Sequence, residues 1–130
     1  MRVVFRDFAF LGAESIDAAV AARCSGEQGQ FWAYHDWLYA NQNGENTGWF
    51  SSTRLGAIAA RLELDRGVFD ACVDRADVRA AVASETAAGR ALGVVGTPTV
   101  MVDGAPFTGS SYEDLLATIQ VALDPDTRKP

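Results

Sequence analysis

The chain has 130 residues, 48% of them hydrophobic, and carries 11 Lys and Arg against 17 Asp and Glu for a formal net charge of −6. That is one domain's length with apolar content enough for one core, and the acid excess argues against a nucleic-acid partner, which needs a basic stripe to neutralise phosphates. No apolar run approaches the roughly 18–20 residues that span a bilayer, and no signal peptide is legible at the N-terminus, so neither a membrane span nor an export signal is expected in this chain. Cys24 and Cys72 lie far apart and His35 is the single histidine, so a disulfide-dense scaffold and a zinc module are excluded, and no metal or cofactor is expected.

In chain order, Val3 to Phe8 is a short apolar run rich in β-formers and predicts a buried strand. After Phe10-Leu11-Gly12, Ser15 is the expected N-cap of an alanine-rich helix through Ile16, Val20 and Cys24. Ser25 to Gly29 breaks it. Phe31, Tyr34 or His35, and Leu38 then recur at helical spacing in a second helix over Phe31 to Gln42, with Trp32 and Tyr39 beside them. Its aromatic residues predict core packing, with a ligand platform as the alternative, and His35 is expected to be a plain helix residue.

Asn41 to Phe50 holds Asn, Gly and Thr and predicts a loop held down by Trp49 and Phe50. Ser51 or Ser52 then caps a helix through Leu55, Ile58 and Leu62, and Asp65 caps another through Phe69 and Cys72. A long alanine-rich helix starts near Asp77 and stops at Gly93. Thr99 to Val102 predicts a strand, Asp103-Gly104 a hairpin turn, and Pro106 to Gly109 a second strand. Ser110 or Ser111 caps a last helix with Leu115, Leu116, Ile119 and Leu123, and Asp124 to Pro130 reads as a polar tail.

Helix, Gly93-Val94-Val95-Gly96-Thr97-Pro98-Thr99, strand, turn, strand and closing helix resembles the C-terminal half of a thioredoxin fold. Together with Val-Val-Phe-Arg-Asp-Phe near the start, the stretch from Ala21 through Cys24 to Gln42, and Phe69-Asp70-Ala71-Cys72-Val73-Asp74, it resembles the DsbA-like family of thiol:disulfide oxidoreductases from Arg2 to about Leu123. The resemblance implies an α/β chain: an incomplete thioredoxin-like fold with an inserted α-helical subdomain. One domain is expected over residues 1–130, with thioredoxin-like parts at about 1–12 and 93–123 and the helical insertion at about 13–92.

The family normally carries a first strand and a Cys-x-x-Cys helix ahead of the strand matched by Val3 to Phe8, and this chain contains no Cys-x-x-Cys. A helix N-terminus stabilises the attacking thiolate, and a second cysteine one turn on resolves the mixed disulfide. Neither Cys24 nor Cys72 supplies that arrangement, so no catalytic residue is assigned and the chain alone is expected to be inactive.

What the resemblance does imply is a substrate site at Gly96, Thr97 and Pro98, with Pro98 in the cis form and Thr97 offering main-chain groups to a peptide or protein thiol substrate. For Cys24 and Cys72 three readings stay open: a structural disulfide like that of some relatives, buried reduced thiols, or a redox-active pair. The function expected is disulfide formation or exchange in client proteins, and the alternative is a non-catalytic thioredoxin-fold peptide-binding or assembly module. The family implies an extracytoplasmic location, periplasmic or in the cell envelope. A homodimer is expected, because the missing strand would leave two inner sheet edges without partners.

Overall fold

A computed structural model of the chain describes residues 1–124. The chain divides into two units, one formed by Arg6–Leu92 and the other by Met1–Phe5 together with the chain from Gly93 onward. Arg6 to Gly12 therefore belongs with the helices that follow it.

The first unit is built around α1 (Ala13–Gly26), which touches each of α2 (Phe31–Ala40), α3 (Ser52–Arg61), α4 (Arg66–Val73) and α5 (Ala76–Ala91). Its last turns bury Val20, Ala21, Ala22, Cys24 and Ser25. The alanines let neighbouring helices approach closely, and Ser25 satisfies its buried hydroxyl by donating to the Ala22 carbonyl at 2.6 Å. Ser15 is not the N-cap of α1. The helix begins at Ala13 after Gly12, whose φ of 94° marks a left-handed entry with no side-chain cap.

Tyr34 and Leu38 are the residues that α2 buries. The Tyr34 ring stacks 5.8 Å from Phe69, and its hydroxyl donates to the Leu55 carbonyl at 2.8 Å. Burial pushes this phenol well above its ordinary range, which keeps it a donor at neutral pH. Trp32 and Tyr39 face outward, one on either side of the half-buried His35, whose ring contacts both.

The expected caps of the next helices are present. Ser51 accepts from the Arg54 N–H, and Asp65 accepts from the Val68 N–H at 2.9 Å. Leu55, Ile58 and Ala59 of α3, Leu64, Phe69 and Cys72 around α4, and Val78, Val82 and Thr86 at four-residue steps along α5 close the core. The Asn41–Phe50 loop is pinned at both ends: Trp49 Nε1 donates to the Asn41 carbonyl at 2.7 Å, and the Phe50 N–H donates to Glu14 Oε1 at 2.9 Å. The Arg54 guanidinium lies 3.6 Å above the Trp49 ring.

The second unit holds β1 (Met101–Val102), β2 (Ala105–Pro106) and α6 (Tyr112–Leu123). The strands pair antiparallel, Met101 with Pro106 and Val102 with Ala105. Asp103 at φ 50° and Gly104 at φ 83° supply the two left-handed residues that the turn demands. A capping box at Ser111 and Asp114 starts α6.

The sheet is smaller than expected. The hairpin stops at Ala105–Pro106 rather than reaching Gly109, β1 takes only the end of the Thr99 to Val102 run, and Val3 to Phe8 forms no strand. A strand exists only as part of a ladder, and here the N–H groups of Asp7 and Ala9 are engaged by side chains instead of by a neighbouring strand. Of the tail expected from Asp124 to Pro130, all but Asp124 lies outside the described residues.

Candidate functional site

Gly96, Thr97 and Pro98, the residues for which the resemblance implies a substrate site, lie on the segment that links α5 to β1. Gly93, at φ 82°, carries the chain out of α5 through a conformation that only glycine adopts freely. The Thr97-Pro98 peptide bond that follows is cis. Gly96 is half-buried, while Thr97, Pro98 and Thr99 are exposed. Thr99 Oγ1 donates to the Gly96 carbonyl at 2.6 Å, which fixes the local turn.

Further along, the Phe107 N–H donates to the Val100 carbonyl at 2.9 Å and so prolongs the hairpin on one side only. No hydrogen bond among the described residues engages the N–H or C=O of Thr97. Val95 is 94% exposed and Val100 flanks the segment from the other side. A stretch of unpaired main chain bordered by two β-branched apolar side chains is chemically suited to pair with an extended peptide.

Cys24 and Cys72 are joined in a disulfide that ties the end of α1 to α4, with their Cα atoms 5.7 Å apart. They are 0% and 3% exposed. A buried bridge of this kind offers no sulfur to an attacking thiolate, so the redox-active reading of the pair has no support in its surroundings. The cysteines lie in the helical unit and Gly96, Thr97 and Pro98 in the other. Among the described residues no group of three or more His, Cys, Asp or Glu is placed to hold a metal ion, and no helix is long and apolar enough to cross a membrane.

One charged cluster has almost no signature in the sequence. Arg23 reaches Asp7 through Nε and Glu85 Oε2 through Nη2 at 2.7 Å, while Arg6 Nη1 meets Glu85 Oε1 at 2.9 Å. The Asp7 N–H donates to Glu85 Oε2 at 2.8 Å and the Ala9 N–H to Thr86 Oγ1 at 3.0 Å. Two alternate amides, those of Asp7 and Ala9, are thus clipped to successive residues of α5.

Burial raises the pKa of Asp7 above its ordinary value, with Arg23 opposing. Burial pushes Glu85 upward as well, but the Asp7 amide, Arg23 and Arg6 together hold it below its ordinary value. No spacing rule announces such a cluster, since its partners are between 16 and 79 residues apart. The only sequence signal is a lone Arg-Asp pair interrupting an apolar run.

Comparison with known proteins places this geometry. A family model described as Thioredoxin matches residues 1–121. The solved thioredoxin-like oxidoreductase from Silicibacter pomeroyi DSS-3 superposes with a TM-score of 0.74 at 28% identity, covering 92% of this chain and 66% of that one. The Na(+)/H(+) antiporter NhaA 1 of Salinispora arenicola (strain CNS-205) is 38% identical over 109 residues, which make up 82% of this chain and 16% of the antiporter. This chain therefore spans somewhat less than two thirds of the solved oxidoreductase and a small part of the transporter. Its helical unit, short hairpin and closing helix form a thioredoxin-like fold that is mostly helical with a small sheet, an incomplete α/β version of that architecture. The chain belongs to the thioredoxin family.

Proposed function

We propose that this chain is the peptide-binding and helical part of a thiol:disulfide oxidoreductase of DsbA-like type, working on extended peptide or protein thiol substrates. The observation that carries the reading is the unpaired main chain at Thr97, in the exposed Thr97–Thr99 part of the turn in a thioredoxin-family chain. A substrate strand lying along Thr97 gains main-chain hydrogen bonds regardless of its sequence, while Val95 and Val100 favour apolar neighbours to its cysteine.

Electron transfer itself needs a Cys-x-x-Cys pair, which these 130 residues do not contain. With Cys24 and Cys72 sealed in the core, that pair has to come from outside this stretch of sequence. The isolated chain should show no appreciable dithiol-dependent reduction of insulin. Robust turnover lost on Cys24→Ser or Cys72→Ser would place the redox centre in the buried bridge and overturn the assignment.

A second reading, a non-catalytic peptide-binding or assembly module, is favoured by the antiporter match, in which a stretch like this one is a minor part of a transport protein. On either reading the chain works as a homodimer outside the cytoplasm. Val3 and Val4 near the N-terminus are exposed, and the described hairpin has only two strands, so association would cover apolar surface and strand edge together. Sedimentation at micromolar concentration should show a dimer, and a monomer at every accessible concentration would count against it.

A further inference from the structure

The Asn41–Phe50 loop contains three asparagines in very different settings. Asn41 is committed: its Nδ2 donates to the Trp37 carbonyl at 2.8 Å and its own carbonyl accepts from Trp49. Asn46 sits at φ 52° with its side chain against Gly12, close enough that a Cβ on that glycine would lie 2.6 Å from Asn46 Oδ1. It is also followed by the β-branched Thr47.

Asn43 has neither the hydrogen bonds of Asn41 nor the Gly12 contact and β-branched successor of Asn46. It is exposed, its side chain makes no hydrogen bond among the described residues, and it is followed by Gly44, exposed and at φ 83°. The Gly44 N–H is likewise unengaged among the described residues. Among the described residues the one tie on Asn43 is Thr47 Oγ1, which donates to its carbonyl at 3.0 Å and leaves both the side-chain amide and the next nitrogen at liberty.

We infer that Asn43-Gly44 is a self-modification site, at which the protein converts Asn43 to a mixture of isoaspartate and aspartate. The Gly44 amide nitrogen, its proton taken by solvent base, attacks Cγ of Asn43. Ammonia leaves and a five-membered cyclic imide remains. Water then adds to either imide carbonyl and opens the ring, so the balance is asparagine plus water giving an acid plus ammonia, with no oxidant or reductant. Glycine at the second position matters because it has no Cβ to block the attack and turns freely through the backbone angles that the ring requires.

The consequence is local. The isoaspartyl product adds a methylene to the main chain and a carboxylate beside Glu45, in a loop whose two ends are held by Trp49 and Glu14. It also carries a free α-carboxyl, the group on which a carboxyl-methylating repair enzyme acts, so a reaction of that class would consume it.

The test is to age the folded protein in mildly alkaline buffer and follow the Asn43 peptide by chromatography and mass spectrometry, beside a synthetic peptide of residues 42–47. The expected result is acid accumulating at Asn43 within several-fold of the peptide's rate, with Asn41 and Asn46 intact and the far-UV circular dichroism unchanged. Asn43→Gln should abolish the gain, because the longer side chain forms its ring far more slowly. An intact Asn43 in folded protein while the free peptide converts, or prior conversion of Asn41 or Asn46, would overturn the inference.

Discussion

Reducing the Cys24–Cys72 disulfide should lower the stability of the helical unit by about 4 kcal/mol, the loop-closure value for a bridge between residues 48 apart. The bridge spans the end of α1, all of α2 and α3, and most of α4. Without it the unfolded chain gains the freedom to separate two helices that the fold holds together. At roughly 4–8 °C per kcal/mol for a unit of this size, the melting temperature should fall by roughly 15–30 °C. The paired variant Cys24→Ala/Cys72→Ala should show the same loss plus a small cavity term, because both side chains are buried. The measurement is urea unfolding with and without reductant. An unchanged midpoint, or full alkylation of the native protein without reductant, would show that the bridge does not constrain the fold.

Arg23→Met should cost about 3 kcal/mol at neutral pH, the lower end of the range for breaking a buried ion pair. The lower end applies because the Arg23 side chain is 28% exposed, against 6% for Asp7 and 19% for Glu85. The methionine would leave two carboxylates facing each other with only Arg6 and backbone donors nearby. Asp7→Asn should cost less, since it leaves no buried charge unpaired.

The pH dependence follows from the two shifts. Asp7 is held above its ordinary 3.8, so its contribution to stability is fully present below that value and lost as pH rises through the folded pKa. Glu85 is held below its ordinary 4.5, so its contribution is present above that value and lost as pH falls through the folded pKa. The two slopes oppose each other in the native protein. Removing Arg23 raises both carboxyls, so the variant should recover stability relative to wild type as pH falls into the acid range. A deficit independent of pH would mean that lost packing, not the unpaired buried charge, causes it.

How far the sequence revealed the molecule depends on the range of the forces involved. Asp65 and Ser111 announce helix starts because a cap acts within three or four residues, and the structure shows both bonds. Ser15 misled because α1 enters through the left-handed Gly12, a conformation that no neighbouring side chain advertises. Val3 to Phe8 has the composition of a strand, but strandedness is conferred by a distant partner, and here α5 side chains engage the amides of Asp7 and Ala9. The Arg23 cluster was invisible for the same reason. Gly96, Thr97 and Pro98 stand out as candidates through family resemblance alone, and the unpaired main chain at Thr97 emerges only when every nearby donor and acceptor has been placed.

The central claim is that the Thr97 segment receives substrate main chain, and amide chemical-shift mapping tests it most directly. Isotope-labelled protein would be titrated with an extended apolar peptide bearing one cysteine, its thiol blocked so that only non-covalent binding registers. Saturable shifts should concentrate at Gly96, Thr97, Thr99 and Val100, with the amides around Cys24 and Cys72 unmoved. Saturable binding that leaves the Gly96 to Val100 amides unperturbed, or no binding at all by peptides of this kind, would contradict it.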